Sequence, residues 1–281
     1  MGQPDIKEIE AGLKDWDFVR NLPAAIGDYT LVPGSGIDGQ ILNIAAYVHE
    51  ASHCRLDLTY TKETFDYVPV KTVGLHTFRD VRFFCRDREH FADMMRKSLP
   101  DILASMDKKT VHALPYEAKA LHFERWDYWR TLPAQVGDYE LYITPDNPLP
   151  YINGSFIFLD YTDFKHGNQI YFSYNIFRDE LFAEMRKNHL PLTTDAFDVL
   201  GNVPAEDKLQ ALQVHIEEKL MAALDKKEAS QIAREQWRGS GFPFRCYSTA
   251  SYKKPPCFCL IFSATISSIL TSMPLKLKIS T

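Results

Sequence analysis

Apolar and polar residues alternate through residues 55–61, which places Leu56, Leu58 and Tyr60 on one face of a half-buried strand. Residues 29–33, 73–85, 139–143, 151–163 and 169–177 also carry the β-branched and aromatic residues of strands. The period changes after residue 87. Phe91, Met94, Met95, Leu99, Ile102, Leu103 and Met106 recur at helical spacing, which predicts helices over 88–97 and 101–106 with a kink at Pro100. A Met and Phe stripe of this kind is core. A second long stripe, Leu209, Leu212, Ile216, Leu220 and Leu224, predicts a helix opened by Pro204 and running to about 238.

These elements occur in two series. Residues 16–31 and 126–141 are identical at ten of sixteen positions, at an offset of 110. Each series begins with Trp16 or Trp126 in a short helix (16–22 and 124–132), passes a Pro and a Gly, and enters a strand at Tyr29 or Tyr139. Phe-Ala-Asp-Met at 91–94 is echoed by Phe-Ala-Glu-Met at 182–185, which predicts a helix over 178–187. Because that offset is only 91, the first copy is expected to carry one extra hairpin. Asp-Lys-Lys closes both series, at 107–109 and 225–227. The expected fold is therefore α+β, a tandem duplication of a helix, an antiparallel sheet of 3–4 strands and a helix, over 10–109 and 120–227 with a linker near 110–119.

Charge divides the chain differently. All 37 acidic residues lie at or before Glu235, whereas 239–281 has five basic residues and no acid. The acidic body argues against a nucleic-acid partner, since phosphate binding needs a basic face. Five cysteines, none shared between the copies and none in a C-x-x-C pair, point to a reducing, cytoplasmic setting. The first residues are polar, and no secretory leader is expected from them. Within the tail, 257–273 is uncharged and flanked by lysines. Seventeen residues stand at the lower limit for a membrane span, and six of them are Ser or Thr. The tail is thus expected to be a membrane anchor, a packed or floppy extension, or out-of-frame sequence past a true end near Arg238.

Two sets of residues could carry function. Asp17, Arg20, Asp127 and Arg130 recur in both copies, and turn and capping chemistry accounts for them structurally. They could also form a ligand site in each copy. The aromatic residues Phe156, Phe158, Tyr161, Tyr171, Phe172 and Tyr174 are expected to place some members on an exposed sheet face as a contact patch, with Tyr161, Tyr171 and Tyr174 among the ligand-binding residues. The second set is His49, Glu50 and His53, spaced H-E-x-x-H. On a helix this puts two imidazoles one turn apart around zinc, with Glu50 as general base on the bound water. Over these five residues the chain resembles the signature of zinc metallopeptidases. Glu89 would be the third ligand, with His76 and His90 as others. The matching part of the second copy reads as strand, which separates the two rings by about four rises of ~3.3 Å. The expectation is a non-catalytic, cofactor-free binding or regulatory protein whose partner is a protein or small ligand. The alternatives are a zinc hydrolase and a protein anchored through 257–273.

Overall fold

The computed structural model describes residues 5–107, 116–151 and 154–225. All of these belong to one compact unit. The fold is mixed α+β with two antiparallel sheets and few helices. The sheets hold six and seven strands, not three or four. The tail, residues 226–238 and most of the predicted linker lie outside the described residues, but the helix expected to run to about 238 already ends at Leu224, where Asp225 turns to extended backbone. Among the described residues, no helix is long and apolar enough to cross a membrane.

The first half opens with α1 (Ile6–Gly12) and α2 (Asp17–Arg20). Its sheet is a meander in chain order: β1 (Ala25–Ile26), β2 (Tyr29–Asp38), β3 (Ile41–His49), β4 (Cys54–Thr61), β5 (Asp66–Val73) and β6 (His76–Arg79). The glycine-rich stretch 34–38 is the outer part of β2, and Gly39 belongs to the turn into β3. A register shift between Pro33 and Gly36 lets it stay paired with β3. Gly34 is required there, because a β-carbon would overlap the carbonyl oxygens of Asn43 and Ile44. Replacing Gly34 by alanine should cost about 1–3 kcal/mol in urea unfolding, the usual range for overpacking. A change below about 0.5 kcal/mol, typical of an unimportant surface site, would show that this bulge yields freely.

The predicted strand over 73–85 is three pieces: the end of β5, all of β6 and a 3-10 turn, Val81–Phe83. Helix α3 (Arg88–Ala104) then runs unbroken through Pro100. Its stripe of Phe91, Met95, Leu99, Ile102 and Leu103 is buried as expected, against Leu56, Leu58 and Tyr60 of β4. The other face of that strand holds the Arg55–Asp57 ion pair and is partly solvated.

The second half follows a short helix, α4 (Tyr116–Lys119). Two 3-10 turns, Phe123–Arg125 and Asp127–Thr131, stand where one helix was expected. The strands are β7 (Gln135–Val136), β8 (Tyr139–Ile143), β9 (Leu149–Pro150), β10 (Ser155–Asp163), β11 (Asn168–Asn175), β12 (Glu180–Lys187) and β13 (Leu190–Leu192). They are ordered β13-β12-β11-β10-β8-β7, and β9 pairs with β10 beside β8. Helix α5 (Ala205–Leu224) packs its predicted leucine and isoleucine stripe on this sheet, with Pro204 as its N-cap residue.

The segment predicted to be helical over 178–187 is strand β12. Its likeness to 91–94 is a coincidence of four residues that tertiary pairing overrides: β12 matches β11 from Gln169–Arg186 to Asn175–Glu180. The expected extra hairpin in the first half is absent with it, and the additional strand is β9 in the second half. Details of the two sheets correspond at an offset of 114. Left-handed residues turn the hairpins at His53 and Gly167, at Phe65 and Asp179, and at Gly74 and Asn188. The isolated bridges Tyr67–Cys85 and Leu181–Val199 follow the same spacing. Tyr47 donates its hydroxyl to the Pro23 carbonyl at 2.8 Å, and Tyr161 to the Pro133 carbonyl at 2.7 Å. Burial pushes both phenols up to about 12.

Candidate functional site

β10 is buried at every position and β11 at all but its last. One face of this pair meets α5. The other meets the first half, whose core takes in Tyr142, Ile143, Leu149, Ile157 and Tyr171. The predicted exposed aromatic patch therefore does not exist. Phe156, Phe158, Tyr161, Tyr171, Phe172 and Tyr174 are all core residues. Five of the six pack in the core with α5, and Tyr171 lies on the opposite face, which the first half covers.

The covered face is partly polar. His76 on β6 places its Nε2 2.8 Å from Asp160 Oδ2 on β10. Both side chains have 0% exposure. Gln169 Nε2 donates to Asp160 Oδ2 at 2.8 Å and to Thr162 Oγ1 at 3.1 Å, and Thr162 donates to Asp160 Oδ1 at 2.8 Å. With His76 as an Nε2–H donor, Asp160 accepts from three partners, and the His76 Nε2 and Gln169 Nε2 donors stand 2.9 Å apart. His76 Nδ1 and Gln169 Oε1 then have no hydrogen-bond partner among the described residues. Around this cluster, Tyr142 donates to the Ser52 carbonyl at 2.6 Å, and the Arg186 guanidinium donates to the Leu75 carbonyl and lies against the Tyr171 ring. Tyr171 donates to Glu184, and burial first, then that carboxylate, pushes its phenol far up. This network joins the halves. It has the residue types of acid–base chemistry but no opening to solvent.

Beside it lies a cleft of about 510 Å3, within the usual range for small-ligand sites. The first half supplies Lys71, Phe78, Arg79, Asp80, Arg82 and Ser105, and the second half Leu149, Pro150 and Tyr151. The Tyr151 ring sits edge-on to Phe78 at 5.4 Å and to His76 at 5.8 Å, so it touches both cleft and network. Asp80 binds Lys71 Nζ at 3.2 Å and Arg82 Nη2 at 2.6 Å. Burial alone would raise the Asp80 pKa, but the Arg82 hydrogen bond and the Lys71 charge hold it at about 2. Burial acts oppositely on Lys71 and draws its pKa down against the pull of Asp80.

A smaller cleft of about 310 Å3 adjoins the β10–β11 turn. Here Asp138, Asp163 and His166 form the one grouping of three metal-capable side chains among the described residues. The buried carboxylate of Asp163 is already engaged, by His166 Nδ1 at 2.9 Å and Asn168 Nδ2 at 2.9 Å.

The other sequence candidates are dispersed. His49 ends β3, Glu50–Ser52 is a 3-10 turn, and His53 is its left-handed cap, so H-E-x-x-H spans a hairpin and not a helix. His49 meets the Tyr29 ring edge-on at 5.4 Å, whereas His53 stacks on Phe164 at 3.8 Å. Glu89 is exposed beside Arg88 at the start of α3. Asp17 and Arg20 pair at 3.5 Å on the surface, as Asp127 and Arg130 do at 3.2 Å. Arg96 and Asp146 extend these pairs, and neither cleft includes them. Lys71, Arg79, Asp80, Tyr151 and Asp160 had no motif to mark them, and His76 was named only as an alternative zinc ligand, a role its pairing with Asp160 does not bear out. No known protein family, curated protein or solved structure matches this chain.

Proposed function

We propose that this is a non-catalytic binding or regulatory protein, built from two copies of one α+β unit, that holds a small ligand in the cleft between its halves. The observation that carries it is the cleft itself, whose walls come from both halves and combine aromatic rings with fixed charges. The matching hairpin turns, bridges and tyrosine hydroxyl bonds support the duplication. The full burial of His76 and Asp160 supports binding over catalysis, because the one histidine–carboxylate pair near the cleft cannot touch a ligand. The free thiols of Cys54 and Cys85 are compatible with a reducing, cytoplasmic setting. The zinc-hydrolase alternative keeps only its five-residue pattern, and the membrane alternative rests on 257–273, outside the described residues.

The test is a small-molecule thermal-shift screen on the full chain and on the Phe78→Ala/Tyr151→Ala variant. A ligand at a hundred times its Kd adds about 2.7 kcal/mol, which for a body of this size is a rise of roughly 5–10 °C. The rise should occur in the wild type and vanish in the variant. Hits that stabilise both proteins equally would place binding elsewhere and defeat the proposal.

A further inference from the structure

We propose that the ligand of this cleft is a small monocarboxylate with an aromatic or similarly flat apolar body, its carboxylate on Arg79 and its body against Phe78, Tyr151 and Leu149. The inference rests on the cleft being a binding site and adds the chemistry of what enters it.

Charge is the first argument. Three cations, Lys71, Arg79 and Arg82, line the cleft against one carboxylate, Asp80. The chain as a whole is acidic, with 37 acidic and 32 basic residues, so this local excess runs against its background. Lys71 and Arg82 are both committed to Asp80. Arg79 is half-buried and, among the described residues, has no carboxylate partner. A guanidinium presents parallel N–H donors that match a carboxylate, and partial burial strengthens that pairing.

The second argument separates carboxylate from phosphate. Phosphate sites draw on helix N-termini and convergent backbone N–H groups. This cleft instead contains Ser105, the residue that caps the C-terminal end of α3, where the helix dipole is negative. Lys71 Nζ lies 3.4 Å from Ser105 Oγ and faces that end. Counted together, Lys71, Arg79, Arg82 and Asp80 give the lining a net charge of +2, so net charge does not separate the two anions; the negative end of α3 and the planar Arg79 fork are what favour a carboxylate. The third argument is shape. Leu149 and Pro150 are apolar, and the edge-on Phe78–Tyr151 pair gives a flat ring surfaces to pack on.

The experiment uses the full chain with benzoate, phenyl phosphate and benzylamine as probes, followed by ligand-observed NMR and calorimetry. Benzoate should bind, and its affinity should fall about tenfold or more in Arg79→Gln, as expected for loss of a charge-assisted pair. It should also be lost in Tyr151→Ala, while benzylamine does not bind. Unchanged circular dichroism and melting temperature will show that both variants are folded. Tighter binding of phenyl phosphate than of benzoate overturns the carboxylate assignment, as does benzylamine binding that needs Tyr151 but not Arg79. Both results would leave the cleft as a site. If none of the three binds while screen hits still need Phe78 and Tyr151, the carboxylate inference alone is wrong. If no compound of any kind binds the cleft, both proposals fall.

Discussion

Asp160→Ala should destabilise the protein by about 3–5 kcal/mol in urea unfolding at neutral pH, the cost of removing one partner from a buried polar pair. Asp160 is the common acceptor for His76, Gln169 and Thr162. Its loss leaves three buried donors without an acceptor in a space too enclosed for bulk water, and each carries a desolvation penalty. Since a domain's whole stability is about 5–15 kcal/mol, the loss should be visible as a large fall in the midpoint. The His76→Leu/Asp160→Leu double variant should recover part of it, because it removes the His76 donor along with the acceptor and leaves only the Gln169 and Thr162 donors unmet. A cost below about 1 kcal/mol for Asp160→Ala, or strict additivity in the double variant, would mean that the network does not hold the halves together.

The second large effect is expected at Asp80. Asp80→Asn leaves the Lys71 ammonium, only 7% exposed, without its carboxylate, and should cost about 3 kcal/mol at pH 7. The pH dependence follows from the depressed pKa. Asp80 titrates at about 2 in the folded chain, against about 3.9 when unfolded. It therefore contributes stability that is fully present above about pH 4 and disappears as the pH falls from there towards 2. The wild type should lose stability across that window and the Asn variant should lose less, so that the two curves converge in acid. Parallel curves from pH 7 to 2 would show that Asp80 is not held by Lys71 and Arg82.

Much of the fold could be read locally. The Leu56, Leu58 and Tyr60 alternation, the Phe91 to Leu103 stripe and the Leu209 to Leu224 stripe each needed only one element and one buried face. The repeated Trp, Pro and Gly positions gave the matching entries into β2 and β8. Errors came where a second layer intervened. Residues 182–185 have the composition of helix, and it was pairing with β11 that made them strand. Tyr161 and Tyr174 are buried under α5, and Tyr171, on the face that alternation would leave wet, is buried by the first half. His76 and Asp160 are 84 positions apart, and Phe78 meets Tyr151 from the other half. No spacing rule connects such pairs, so the cleft could not be found before the halves were docked. The five residues from His49 had the opposite problem: a legible motif on a hairpin that does not give it helical geometry.

The junction between the halves has a direction. The first half offers a hairpin edge with His76, and the second offers a sheet face with Asp160 and Gln169. Contacts of this head-to-tail kind, used repeatedly between molecules, give closed rings or open filaments depending on the rotation they impose. Here neither end can take another link. Position 190, which corresponds to His76 at the offset of 114, is Leu190, 59% exposed and without a polar group to offer. The positions corresponding to Asp160 and Gln169 are Ala46 and Arg55, and Arg55 is tied to Asp57 at 2.7 Å. The chain thus makes this contact once, between its own halves, and the corresponding positions Leu190, Ala46 and Arg55 do not offer the groups that would repeat it with another molecule.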